Sequence, residues 1–126
     1  MEKICQCAIE THVLLKGDMY REANYQRVLV YYLQKEGFVT STEEVCTYRF
    51  GENQEIYAGS GRMDIVCYKD GKQYILELKV GSGFKMKEYM AQLRKYVKHR
   101  RAKLGILIIF DSQKSPVIEK YERVLA

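Results

Sequence analysis

The chain has 126 residues, of which 47% are hydrophobic and 29% charged, and its formal net charge is +5. A chain of this length is expected to form a single domain over residues 1–126, with a core that needs no disulfide or structural metal. Its longest apolar run, residues 104–110, is much shorter than the roughly 20 residues that span a bilayer. With no secretory pattern among the first residues, we expect a soluble, intracellular protein without a membrane partner.

The four cysteines are predicted to be reduced and structural. Their C-x-C pair, Cys5 and Cys7, does not have zinc-knuckle spacing, and no His or Cys cluster follows downstream. Cys67 lies inside an apolar run, as a small buried thiol would. A disulfide and a metal site are the less favoured alternatives for a protein of a reducing compartment.

The first third of the chain is predicted to contain two helices. Apolar residues recur at helical spacing over residues 3–15 and again over about 19–36. The second helix has Ala23, Gln26, Leu29 and Leu33 along one stripe, and Gly37 is placed to end it.

Strands dominate the remainder. They are predicted over residues 43–50, 63–68, 73–80 and 104–110, with a helix over about 85–101 and a further edge strand within 116–124. The order α-α-β-β-β-α-β predicts an α/β domain with a central mixed sheet flanked by helices.

A predicted tight hairpin brings the candidate site residues together. Asp70-Gly71 between two strand-like runs predicts a two-residue turn, because both central residues of a type I′ turn need positive φ. This turn pairs Asp64 with Glu77 on one face, with Cβ atoms about 5 Å apart. Because side chains alternate along a strand, Lys79 lies on that same face.

Two ionised carboxylates at such a distance are costly. They repel by roughly 3 kcal/mol at an effective dielectric of about 20. A divalent cation would reverse the sign of this term, and Mg²⁺ is often held by one or two carboxylates. The alternative is a solvated strand pair in which Lys79 partly neutralises Asp64 and Glu77.

Two further positions favour a site. Glu22 shares the stripe of Gln26 on the second helix, so it is predicted to point inward, although an acid favoured by the helix dipole is the alternative. On the later helix, Tyr89, Gln92 and Tyr96 share a face. Gln92 is suited to orienting a phosphate or a water, and Tyr96 to packing or donating a hydrogen bond.

Positive charge is concentrated in the later helix. Residues 85–103 contain eight Lys or Arg and one acid, so this segment carries +7 and the rest of the chain −2. Such a helix is typical of a phosphate-backbone binder, although a solvated lysine-rich face is the common alternative. We predict nucleic-acid contacts at Lys85, Lys87, Arg94, Lys95, Lys98 and Arg101.

In order and spacing, these residues resemble a known signature. The D…ExK…QxxxY pattern of the PD-(D/E)XK nuclease superfamily is similar to Asp64, then Glu77-Leu78-Lys79, then Gln92-x-x-x-Tyr96. More narrowly, the chain resembles the GxxExxY family of that superfamily, whose ExxY matches Glu22 to Tyr25. The resemblance covers about residues 5–124. Met19 replaces the glycine of the family's name, and Met63 stands where the superfamily's name has proline.

The resemblance implies a restriction-endonuclease-like core and a metal-dependent nuclease. It implies Mg²⁺ or Mn²⁺ held by Asp64 and Glu77, with Glu22 as a further or water-mediated ligand and Lys79 near the attacking water. The predicted catalytic residues are Asp64, Glu77, Lys79 and Gln92, with Tyr25 and Tyr96 as supporting residues. DNA is the expected substrate, with a homodimer or a partner protein as a further expectation. The alternative is a non-catalytic nucleic-acid-binding or assembly module that keeps the fold.

Overall fold

The computed structural model describes residues 2–81, 85–111 and 116–122. Its elements, in chain order, are α1 Glu2–Leu15, α2 Glu22–Lys35, β1 Val39–Phe50, β2 Ile56–Lys69, β3 Lys72–Val80, α3 Met86–Arg100, β4 Leu104–Phe110 and β5 Val117–Glu122. None of the helices in this described part is long and apolar enough to cross a membrane.

The strands form one mixed sheet in the order β1-β2-β3-β4-β5. β3 and β4 are parallel, and the other neighbouring pairs are antiparallel. Parallel neighbours need a long crossover, and α3 provides it. The predicted α/β class and element order are confirmed, with β5 as the added edge strand.

Two core layers lie on opposite faces of the sheet. α1 and α2 pack on one face, where Leu29 and Leu33 contact a cluster that includes Ile106. α3 covers the other face, where Leu93 belongs to a cluster that includes Leu107. All seven residues of β4 are buried, as expected for a central strand covered on both sides.

The predicted hairpin is confirmed. Asp70 and Gly71 have φ of 53° and 74°, and the register runs from Lys69 opposite Lys72 to Ile65 opposite Leu76. Gly37, with φ of 91°, donates its backbone N–H to the carbonyl of Gln34 at 3.0 Å and ends α2 as predicted.

Several boundaries and one inward residue differ from the prediction. β1 begins four residues earlier and β2 seven residues earlier than expected, whereas α2 begins at Glu22 rather than about residue 19. Ala23 is exposed, and the buried stripe of α2 is Tyr25, Leu29 and Leu33. Tyr25 lies four residues before Leu29, so it takes the inward position that was predicted for Ala23.

The cysteines are free thiols, as predicted. Cys7, Cys46 and Cys67 are buried, and Cys5 is half-buried. Burial raises the pKa of the Cys7 thiol to about 11 and that of Cys67 to about 12. Both therefore remain protonated near neutral pH and behave as small core residues.

Candidate active site

The β2–β3 ladder ends at the two acids that the hairpin register brings together. The last pair is Ile65 opposite Leu76, and side chains then replace main-chain partners. The Asp64 backbone N–H donates to Glu77 Oε1 at 3.1 Å, and the Leu78 backbone N–H donates to Asp64 Oδ2 at 2.7 Å. Each carboxylate is therefore tied to the backbone of the opposite strand.

Burial makes this carboxylate pair electrostatically unusual. Glu77 is 6% exposed, and desolvation, followed by the charge of Asp64, raises its pKa to about 8. Desolvation also raises the pKa of Asp64. A buried acid beside a second acid favours its protonated form, because burial removes the solvent that stabilises the charge and the second acid repels it.

Lys79 supplies the positive charge beside the pair. It lies two residues after Glu77 on β3, and its charge opposes the rise in the pKa of both Asp64 and Glu77. Its Nζ lies 4.9 Å from the centroid of the Tyr89 ring on α3. The ring holds the ammonium beside the acids by a cation–π contact.

Glu22 approaches the pair from the start of α2. It is half-buried, and its pKa is raised by desolvation and then by the charge of Asp64. Glu22 also contributes to the raised pKa of Glu77. The structure thus brings Glu22, Asp64, Glu77 and Lys79 together, as the sequence predicted.

Gln26, on the same side of α2, is a contact that the sequence analysis did not assign. Its Nε2 donates to the backbone carbonyl of Asp64 at 2.6 Å and lies 3.4 Å from Glu43 Oε1. Gln26 therefore links α2 to β2 where β2 leaves β3. Its position four residues after Glu22 was the available signal, but it was interpreted as part of the core stripe.

A polar network on α3 lies beside Glu77. Gln92 Nε2 donates to Tyr48 Oη at 2.9 Å, and Tyr96 Oη donates to the Arg62 carbonyl at 3.0 Å. Tyr96 is also 3% exposed, so it both packs and donates. Tyr48, which the sequence analysis missed, comes from the long β1 strand and joins the network to the sheet edge.

Two aromatic side chains, Tyr25 and His12, lie in the core. The Tyr25 ring stacks on Phe110 with centroids 4.6 Å apart, so its contact is packing. His12 also faces Phe110, at 6.4 Å and 11° between planes. Burial lowers the pKa of His12, and it packs in the core rather than approaching the carboxylates.

Gly61 is required by the close approach of the α3 network. A Cβ at this position would lie 2.5 Å from Tyr48 Oη, 2.7 Å from Tyr96 Cε1 and 2.8 Å from Gln92 Nε2. We expect Gly61→Ala to destabilise the protein by about 1–3 kcal/mol, as overpacking does. Thermal melts against Ser60→Ala, an exposed neighbour that should leave the Tm unchanged, test this, and equal melts would contradict it.

A model of the PD-(D/E)XK nuclease superfamily matches residues 1–123. The chain belongs to the PD-(D/E)XK nuclease superfamily. No curated protein matches the sequence. In this chain, Asp64 and the run Glu77-Leu78-Lys79 are similar to the D and the (D/E)XK of the superfamily's name.

Solved structures share the fold at low identity. A protein titled SSO0001 is 17% identical with a TM-score of 0.57, and the alignment covers 98% of this chain and 67% of that one. A protein of unknown function titled AF1548 is 16% identical with a TM-score of 0.50, covering 86% of this chain and 50% of that one. This PD-(D/E)XK chain thus spans about two-thirds of the length of the first protein and half of the length of the second.

Met19 has a backbone conformation that favours glycine. Its φ is 54°, in the left-handed region that glycine adopts without strain.

The predicted nucleic-acid-binding residues of this PD-(D/E)XK domain are exposed along and beside α3. They are Lys85, Lys87, Arg94, Lys95, Lys98 and Arg101. Tyr89, which contacts Lys79, connects the first turns of α3 to the carboxylates. Arg100 is engaged elsewhere, because its guanidinium bonds Glu44 Oε1 at 2.9 Å.

The carboxylates fit a small divalent cation by donor chemistry. One oxygen of each carboxylate is fixed by a backbone amide, and the raised pKa values reflect desolvation and, at Glu77, the nearby charge of Asp64. Mg²⁺ and Mn²⁺ prefer such oxygen donors. Among the residues that the structure describes, no three His, Cys, Asp or Glu side chains form a ready metal cage.

Proposed function

We propose that this chain hydrolyses phosphodiester bonds in DNA, using Mg²⁺ or Mn²⁺ at Asp64 and Glu77, as a nuclease of the GxxExxY type. One observation carries the proposal. Buried Glu77 and half-buried Asp64 lie side by side, each bonded to the other strand's backbone, with Lys79 as the neighbouring cation. Maintaining this pair costs folding free energy unless a cation uses it.

The metal site is assigned to the paired acids, with Glu22 behind them. Glu22 is close enough to raise the pKa of Glu77, which suits a further or water-mediated contact. When bound, Mg²⁺ or Mn²⁺ supplies polarisation of a phosphoryl oxygen and a lowered pKa for a coordinated water.

The side chains divide the remaining chemistry. Lys79 orients the attacking water and stabilises the negative charge that develops on the phosphoryl oxygens. Gln92, fixed by its bond to Tyr48, orients the substrate phosphate. Gln26 positions Asp64 by holding its carbonyl.

The cations of α3 hold the phosphate backbone outside the site. Lys85 and Lys87 lie at its first turn, the end that Tyr89 joins to Lys79. Contacts of this kind carry little sequence information. DNA binding should therefore weaken steeply as salt rises.

Cleavage assays with Asp64→Asn test the proposed function. The wild type should cut single- or double-stranded DNA with Mg²⁺ or Mn²⁺ and stop in EDTA. Asparagine still accepts the Leu78 amide but removes one metal-binding charge, so we expect a loss of roughly 10²–10³-fold.

Asp70→Asn is the matched control. It makes the same chemical change at the turn of the same hairpin, where asparagine tolerates the positive φ, and it should cut normally. Metal-independent DNA binding without cleavage by the wild type would contradict the proposal and support a binding or assembly module.

A further inference from the structure

The C-terminal end of α3 borders two cavities that the carboxylate site does not use. The first, of about 420 Å³, is lined by residues that include Lys72, Arg101 and Lys103. The second, of about 320 Å³, lies between α3 and the tip of the β1–β2 hairpin and is lined by residues that include Arg49, Phe50, Lys98 and Arg101. Arg101 lines both, so the two cavities adjoin at this residue, and together they are called the track.

The track is strongly positive. Five cations line it, Arg49, Lys72, Lys98, Arg101 and Lys103, and no Asp or Glu is among the residues lining either cavity. Cavities lined by one sign of charge concentrate ligands of the opposite sign. Two adjoining cationic cavities suit successive phosphates of one chain better than a single small anion.

An aromatic ring stands on the same track. Phe50 is 42% exposed, Lys98 Nζ lies 5.4 Å from its ring centroid, and the His99 ring meets it edge-on at 5.0 Å. An exposed ring framed by cations is the arrangement on which unpaired bases stack while their phosphates are neutralised. Bases within a duplex are stacked on one another and do not reach such a ring.

Arg101 occupies a backbone position that favours glycine. It follows α3 with φ of 53° and ψ of 40°, the left-handed conformation that usually ends a helix with glycine. An arginine here gives up backbone stability and places a guanidinium where both cavities meet. Its charge also complements the negative end of the α3 dipole.

We propose that this track binds single-stranded nucleic acid, with its phosphates on the five cations and one base stacked on Phe50. The inference deepens the proposed nuclease function and rests on it, because the strand held by the track is the substrate presented to Asp64 and Glu77. It names an unpaired strand, rather than an intact duplex, as the substrate class.

Binding of a fluorescein-labelled 20-nucleotide DNA, followed by anisotropy in EDTA, tests the base-stacking contact. Phe50→Leu keeps an apolar side chain but removes the ring, so affinity for the single strand should fall about tenfold, with little change for the duplex of the same sequence. Tyr31→Leu, which removes a more exposed aromatic ring on α2, should change neither affinity. Unchanged single-strand binding by Phe50→Leu, or equal losses on both DNAs, would overturn the proposal.

Arg101→Gly separates binding from folding. Glycine adopts the positive φ freely, so the Tm should rise by roughly 3 °C, while the slope of log affinity against log salt for the single strand should shrink by about 0.7. Met19→Gly, at another positive φ, should raise the Tm without changing the slope. An unchanged slope in Arg101→Gly would count against the track.

Hydrolysis of bis(p-nitrophenyl) phosphate with Mn²⁺ separates this proposal from the proposed function. This small diester reports on the carboxylate site without requiring a bound strand, so its hydrolysis by the wild type tests the nuclease proposal alone. If the wild type shows no hydrolysis, the nuclease proposal fails, and the anisotropy results still decide whether the track binds a single strand.

Discussion

Lys79→Ala is expected to lose DNA cleavage by about 10²–10³-fold while remaining folded. Removing one group that stabilises transition-state charge typically costs this much. The fold should persist, because the lost contact with the Tyr89 ring contributes only about 0.5–1 kcal/mol. The charge of Lys79 opposes the rise in the pKa of Asp64 and Glu77, so the residual activity of Lys79→Ala should reach its plateau at a higher pH than that of the wild type.

Two measurements assign this loss to the chemical step. The Mn²⁺-induced rise in Tm should be retained in Lys79→Ala, since removing a neighbouring cation does not weaken the carboxylates' attraction for the metal. Lys16→Ala, which removes an exposed lysine of the turn after α1, should cut normally. Equal cutting by Lys79→Ala and the wild type would exclude this site.

Glu77→Gln is expected to remove much of the pH dependence of stability in the metal-free protein. The pKa of Glu77 is about 8 in the folded chain, against an ordinary value of 4.5, so the folded state holds this proton more tightly than the unfolded state. The associated stability is complete below about pH 4.5 and is lost as the pH rises through about 8. In EDTA, the wild-type Tm should therefore fall over that range, and the Tm of Glu77→Gln should fall less.

A bound divalent metal should reverse the fall of Tm with rising pH. Asp64 and Glu22 also have raised pKa values, and saturating Mn²⁺ favours the ionised form of all three acids. At about 100 times its dissociation constant, the ion stabilises the folded state by about 2.7 kcal/mol. At one fixed Mn²⁺ concentration, the gain should be larger at pH 8 than at pH 6, because less proton competition strengthens metal binding. A wild-type Tm that does not fall with pH in EDTA would contradict the burial of an acid pair.

The hairpin was predictable because its information is local. Asp70-Gly71 fixes a two-residue turn, and a ladder counted from that turn places Asp64 opposite Glu77 whatever the rest of the fold does. The α3 segment and β4 were equally clear, since one is strongly periodic and the other is a continuous apolar run. Local patterns therefore identified most of the candidate site.

The outer hairpin was less predictable because its sequence resembles a loop. β2 begins at Ile56 and includes Gly59 and Gly61, residues that usually weaken a strand. Gly61 is required by the close approach of Tyr48, Tyr96 and Gln92, a tertiary contact that no local pattern reveals. Tyr48 lies within the strand predicted over residues 43–50, but its contact with Gln92 was missed for the same reason.

Long-range polar contacts were also beyond sequence patterns. Gln26 lies on the same helical stripe as Leu29, and its bond to the Asp64 carbonyl forms only because α2 packs against β2 in the folded chain. Similarly, the sequence places Arg100 in the basic segment, but in the fold its guanidinium lies 2.9 Å from Glu44 Oε1 on β1. Partners separated by many residues decide what such side chains do.

Two backbone amides at the end of the β2–β3 ladder donate to carboxylates instead of to main-chain carbonyls, and their NMR signals can report on the site. The Asp64 N–H senses the Glu77 carboxylate, and the Leu78 N–H senses the Asp64 carboxylate. Deprotonation or cation capture at either acid changes the electric field along that N–H bond, so two ¹⁵N-resolved proton resonances should report the charge state of the two acids separately. A titration followed at these two backbone signals would reveal the order in which the carboxyl groups ionise.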